Sequence, residues 1–175
     1  MALRRTPLKR KKSNKKAQTE RNKKLATEYG MKLKYWRYNG RKGIYWALLS
    51  EFVRKRDLNK FGECISCGNP FTDIKQVQAG HYAPAGNCGF KLLFDLRNVN
   101  AECPKCNNPL FSPGKLIQYR ANLVKRYGER WVKKLDKDYT QKEVMKEWTQ
   151  LEYDKEIKKL QRKIKKLDEE ISKEL

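Results

Sequence analysis

Apolar residues recur at four-residue steps between about Ile44 and Asn59. Ile44, Leu48 and Phe52 form one row with Ala47, Leu49 and Val53 beside it, a spacing that predicts a helix. Phe61-Gly62 ends this helix and leads into the first cysteine pair. Gln76 to Tyr82 alternates loosely and contains β-branched Val77, and Phe90 to Val99 holds a second apolar run, so a hairpin with a long loop is predicted, with His81 near the end of its first strand. A further helix starts either around Cys106 or after the Pro113-Gly114 break. It runs through Leu116, Arg120, Leu123 and Tyr127 to a stop at Gly128. Thr140 and Glu143 have the spacing of a capping box ahead of a long C-terminal helix. There Ile157, Leu160, Ile164, Leu167 and Ile171 alternate three- and four-residue steps, the a/d pattern of a coiled coil. Only about two heptads are clean, so both a homodimer through this helix and a fold back onto the domain stay open.

The first 24 residues have no apolar periodicity. They carry eleven basic residues against the single acid Glu20, and such close-set like charges read as a disordered arm. In the next segment Tyr29, Tyr35, Trp36 and Tyr38 are interleaved with basic residues, a pattern that suits either stacking on exposed bases or packing on the domain. Over the whole chain of 175 residues the formal charge is +22, from 42 Lys and Arg and 20 Asp and Glu. That excess points to a polyanion, because neutralising phosphates releases condensed counterions. DNA or RNA is the first choice, and charge alone also admits an anionic membrane surface. Glu63 to Asn107, by contrast, holds four acids and four bases and is formally neutral. With no apolar span of about 18 residues and no apolar core after the basic N-terminus, a soluble, cytoplasmic protein without membrane attachment is expected.

Four of the five cysteines fall in two pairs, Cys64-Ile-Ser-Cys67 and Cys103-Pro-Lys-Cys106. Each pair places two thiolates on one tight turn where both reach the same ion at about 2.3 Å, and two such turns complete the tetrahedron of a structural zinc. A closed four-sulfur shell leaves no position for water. The zinc therefore staples and does no chemistry. Cys88 is a bystander. Between the pairs lies the only histidine, His81, in a Gly-His-Tyr-x-Pro segment. Asn98 follows five residues before Cys103, and Asn107 comes directly after Cys106.

That order resembles the HNH, or ββα-metal, nucleases over about residues 50 to 115. The wider sequence, with QAGHY, LLFDLRNVN, CPKCN and YRANLVKRYG, looks like the phage NinG/Rap recombination endonuclease family over roughly residues 45 to 165. The resemblance implies that His81 is the general base that takes a proton from water, a role suited to an imidazole, which with a pKa of about 6.5 is largely neutral at pH 7. It implies that Asn98 holds the hairpin loop through backbone hydrogen bonds, and that Asn107, at the start of a helix, offers its amide oxygen to a catalytic Mg²⁺ or Mn²⁺. Two positions depart from the wider pattern. The acid or histidine usually found before the catalytic histidine is Gly80, and the final histidine is Asn107, as in junction-resolving endonuclease VII. The cation's second ligand is thereby left open between Gln78 and Asp95. Asp95 is the slightly better choice, although fixing the hairpin or contacting Arg97 suits it equally. Lys105, Lys115 and Arg120 are candidates for phosphate contacts, with a solvated helix face as the plainer reading.

The expected fold is α+β, a small zinc-stapled ββα-metal centre of HNH-like treble-clef type with mainly helical extensions. Its divisions are a basic arm over 1–24, a helical extension over 25–62, the nuclease core over 63–128 and a helical extension over 129–175. The expected activity is metal-dependent endonuclease action on branched DNA, D-loops or Holliday junctions, the branch preference coming from the resemblance alone. A non-catalytic zinc module that binds nucleic acid as a recombination accessory, and an HNH homing or restriction enzyme, are the alternatives.

Overall fold

The computed structural model describes residues 13–31, 39–108, 115–141 and 146–174. Its centre is helix α2, Gly40–Phe61, which buries Ile44, Tyr45, Leu48, Leu49 and Val53 along one stripe at the predicted spacing. The helix ends where Gly62 turns left-handed at φ 65° and its N–H donates back to the Asp57 carbonyl at 3.1 Å. Beyond it the chain makes the first cysteine turn, a 3₁₀ turn at Ile74–Gln76 and strand β1, Gln78–His81. Strand β2, Val99–Glu102, pairs with β1 antiparallel, with Gln78 opposite Glu102, Ala79 opposite Ala101, Gly80 opposite Asn100 and His81 opposite Val99.

The return strand is shorter and later than the apolar run from Phe90 suggests. Gly89–Leu93 is a short helix, α3, which buries Leu92 and Leu93 in the core and leaves only Val99–Glu102 to pair. The following helix takes the later of the two predicted starts. It is α4, Lys115–Tyr127, and Gly128 at φ 88° turns the chain into α5, Glu129–Gln141. The Pro113-Gly114 break itself lies outside the described residues.

Three further expectations change. Residues 13–24, expected as part of a disordered arm, belong to helix α1, Ser13–Glu28, and residues 1–12 lie outside the described residues. The anchor is small: Ala26 is buried, Leu25 and Tyr29 pack on the core, and the Asn22 side-chain oxygen accepts from Gly40 N at 3.1 Å. Tyr29 donates its hydroxyl to Asp154, so it packs onto the domain. Tyr35, Trp36 and Tyr38 lie outside the described residues. The capping box is one pair further along than expected. Thr140 sits inside α5 with its hydroxyl on the carbonyls of Asp136 and Lys137, whereas Thr149 and Glu152 cap helix α6, Gln150–Glu174, through Thr149 N to Glu152 Oε2 at 2.6 Å and Glu152 N to Thr149 Oγ1 at 3.3 Å. Glu143 is outside the described residues.

The apolar seam of α6 is occupied by the chain itself. Tyr153, Ile157, Leu160 and Ile164 are buried in the same core as the α2 stripe, and Lys55 on α2 pairs with Asp168 at 2.8 Å. A coiled coil through these residues would need α6 to leave α2. Among the described residues no helix is long and apolar enough to cross a membrane. The mixed, helix-rich architecture with one small antiparallel sheet thus follows from two faces of α2, one covered by α6 and the other laid against the hairpin.

Ile157 is fully buried at this contact, so Ile157→Ala should destabilise the protein by about 2–5 kcal/mol. Urea titration checks this. A loss of that size that does not vary with protein concentration is expected of a helix packed within its own chain.

Candidate active site and metal centre

The two cysteine turns have the same local geometry. Gly68 N donates to Cys64 O at 2.8 Å, and Asn107 N donates to Cys103 O at 3.0 Å, so each turn curls its pair of thiols inward. The four Sγ atoms lie within 4.8 Å of one another, with Cys67 and Cys103 at 4.0 Å. A tetrahedral ion with bonds of about 2.3 Å holds sulfurs about 3.8 Å apart, so this cluster could hold a metal ion such as zinc. Burial pushes the Cys64 thiol well up and the Cys106 thiol up to about 11. It also raises Cys103, but hydrogen bonds from Cys106 and the other two cysteines outweigh it. A coordinated ion overrides burial outright, because a ligating thiol is deprotonated. Cys88 is apart from the cluster, buried in the main core with its thiol on Gly89 O.

The staple joins the hairpin to the rest. Ile65 N, on the first turn, donates to Ala101 O at 2.9 Å, and Cys103 N donates to Cys64 Sγ at 3.3 Å. From the other side the fully buried Asp57 of α2 accepts the Ala101 N–H at 2.7 Å, with its second oxygen held by Arg56 Nε at 2.6 Å. Ala101 is therefore gripped by its N–H and its C=O at once.

Strand alternation then sorts the side chains. His81 lies on the same face as Val99, half-buried, with its ring stacked on Trp46 at 5.0 Å between centroids. Its Nε2 is 3.0 Å from the Leu93 carbonyl. A carbonyl oxygen only accepts, so Nε2 carries the proton and the basic lone pair of the neutral ring is at Nδ1. The same loop is held by Asn98. This fully buried side chain accepts from Ala83 N at 2.6 Å and donates to Ala83 O at 3.1 Å and Leu92 O at 3.0 Å. One amide thus ties the turn after β1 to the end of α3, whose next carbonyl holds His81.

On the other face, Gln78, Gly80 and Glu102 meet Asn107. Asn107 stands in the turn after Cys106, outside any helix, which corrects its expected place at a helix start. Its Nδ2 donates to Gln78 Oε1 at 2.9 Å. A Cβ placed on Gly80 would overlap Glu102 Oε2 and lie 2.7 Å from Glu102 Cδ and 3.0 Å from Asn107 Oδ1. The space above Gly80 is filled by a carboxylate from the opposite strand. Burial raises the Glu102 pKa above its usual range, against the Ser66 hydroxyl on Oε1 and the charge of Lys115. Glu102 is the residue the sequence reading missed. Its signal was available only once the register set it opposite Gln78, on the face that Gly80 leaves bare.

Other candidates are engaged elsewhere. Both oxygens of Asp95 accept from the Arg97 side chain, and Arg97 N donates to Oδ1 at 2.8 Å. The contact with Arg97 is one of the alternatives offered for Asp95. Arg120 pairs with Asp136 at 2.9 Å and Glu129 at 3.2 Å, so its charge is already matched within the protein. Lys115 places Nζ 2.9 Å from Cys106 Sγ, beside the sulfur cluster. Lys105 stays exposed on the second cysteine turn.

Cys64→Ser should release the metal and unfold the centre, seen as loss of bound zinc by atomic absorption together with loss of the cooperative thermal transition. A folded, zinc-free Cys64→Ser protein would remove the staple from the account. Asn98→Ala should cost about 1–3 kcal/mol or more, because the Ala83 N–H and C=O lose their buried partner, while the Leu92 carbonyl keeps the Asp95 N–H. Chemical denaturation reads this directly.

No curated protein and no solved structure matches the chain. One family model does, described as bacteriophage lambda NinG protein, and it matches residues 2–170. Spanning the cysteine cluster, the hairpin and the described helices from α1 to most of α6, that match places the chain in the bacteriophage lambda NinG family.

Proposed function

We propose that this NinG-family chain is a divalent-metal-dependent DNA endonuclease of the HNH, ββα-metal type, acting on branched recombination intermediates such as D-loops and Holliday junctions. The observation that carries the reading is the fixed tautomer of His81. The Leu93 carbonyl holds Nε2–H, which puts the basic lone pair of the neutral ring at Nδ1, the nitrogen that would take a proton from an attacking water. Trp46 stacked on the ring and Asn98 beneath the loop limit its motion, so the base is positioned before substrate arrives.

The donors beside Gly80 suit a hard cation: the Asn107 Oδ1 and a carboxylate are oxygen ligands of the kind Mg²⁺ and Mn²⁺ select. Such an ion, held by Asn107, would stabilise negative charge on the phosphate and on the departing 3′ oxygen. The cysteine cluster contributes rigidity. Net charge +22 supports a polyanionic substrate, and family membership supports the phage recombination setting. The preference for branches rests on family likeness and on basic segments flanking a neutral centre.

The test uses purified zinc-loaded protein, Mg²⁺ and matched linear and four-way DNA. Mg²⁺-dependent nicking, greater on the junction, is expected in the parent, with a loss of about 10²-fold or more in His81→Ala at unchanged zinc content. Equal cutting by that variant removes His81 from the mechanism, and equal cutting of linear DNA removes the branch preference. A second reading, a non-catalytic zinc module that binds nucleic acid, is favoured by the missing side chain at Gly80. It predicts salt-sensitive binding without nicking that survives His81→Ala.

A further inference from the structure

Glu102 is an unusual place for a carboxylate. It lies on a strand, next to a cysteine of the staple, and is only 5% exposed. Burying a charged group is expensive unless a counter-charge or a full set of hydrogen bonds meets it. Oε1 accepts from Ser66 Oγ, while Oε2 accepts no hydrogen bond among the described residues. The ammonium of Lys115, whose charge reaches this carboxylate, spends its contact on Cys106 Sγ. One oxygen of this carboxylate therefore lies over Gly80, with the Asn107 amide oxygen close to the same point.

Gly80 marks that point. A glycine inside a strand signals close approach by another group, and here the group is Glu102 Oε2, which occupies the place of the absent Cβ. Asn107 presents Oδ1 to the same spot because its Nδ2 is held by Gln78. Two oxygens, one anionic and one neutral, converge at the hairpin one residue before His81. In an octahedral shell with bonds of about 2.1 Å, neighbouring oxygens lie about 3 Å apart, so one small cation can bridge oxygens that approach the same point.

We propose that Glu102 supplies the carboxylate ligand of the divalent cation, sharing the ion with Asn107 Oδ1 above Gly80. The carboxylate that other chains would carry on the first strand is delivered here from the second, across the pair Gln78–Glu102. Gly80 is then a requirement of the site, since any side chain there collides with the ligand. This assignment rests on the metal-dependent reading above, and it replaces Asp95.

Mn²⁺ binding to the zinc-loaded full chain, without DNA, separates the two claims. Electron paramagnetic resonance titration should show one tightly bound Mn²⁺ in the parent and an affinity lower by about 10-fold or more in Glu102→Gln, which keeps the shape and removes the charge. Zinc content and circular dichroism confirm that the variant is folded. Moving the carboxylate back across the hairpin, Gly80→Asp combined with Glu102→Ala, should restore affinity to within about 5-fold of the parent, whereas Glu102→Ala alone should not bind. A parent that binds no Mn²⁺ overturns the metal-dependent reading as a whole. A parent that binds it, with Glu102→Gln binding equally well, overturns the Glu102 assignment alone. A folded double variant with no recovered binding overturns the claim that positions 80 and 102 serve one ligand place.

Discussion

Two strands of four residues cannot hold each other in water, because an isolated hairpin recovers too little apolar contact for the chain entropy it gives up. Everything chemical in this protein nevertheless hangs on that hairpin. Its stability is borrowed at Ala101, whose N–H is taken by Asp57 from α2 and whose C=O is taken by Ile65 from the first cysteine turn. One residue thereby connects the helical half of the molecule to the sulfur cluster. The small apolar cluster of Phe71, Val77 and Ala101 fills the space between those two anchors. The four cysteines next to it could hold an ion, which would add cross-links where a core of ordinary size has no room.

Once the strands are fixed, their two-residue period decides the division of labour. The His81 face is apolar and aromatic, and a backbone carbonyl sets the tautomer. The Gly80 face gathers oxygens and amides. On the proposed mechanism, a base and a cation would make opposite demands, since a nearby positive charge would disfavour protonation of an imidazole sharing its pocket. Adjacent residues on one strand would satisfy both demands by projecting to opposite sides while remaining neighbours along the chain.

Much of this was legible from spacing. The α2 stripe, the paired cysteines, the stop at Gly128 and the apolar seam of α6 all repeat at intervals that one element explains. What failed to show was set by contacts distant in sequence. Phe90 to Leu93 carries a strand-like apolar run yet forms α3, because Leu92 and Leu93 are buried in a core assembled from residues far away. The charge of residues 13–24 hid a helix that needs only Ala26 and its neighbours to dock. Gly80 looked like a loss because a single strand shows what a residue lacks and never what the opposite strand delivers. For Asp95 the contact with Arg97, two residues on, was legible as one of its alternatives.

The closure of α6 over α2 joins segments more than a hundred residues apart, as the Lys55–Asp168 pair illustrates. During synthesis the chain emerges in the order α2, hairpin, α4, α5, α6, so the hairpin and its cysteine turns can assemble while one flank of α2 is still uncovered. Long-range contacts of this kind form slowly and leave apolar surface open in the interval. Vectorial folding would give a metal-bearing centre first and a sealed core last. The nascent protein would pass through a state in which the hairpin is built but Ile44, Leu48 and Leu49 lack the cover of Ile157, Leu160 and Ile164.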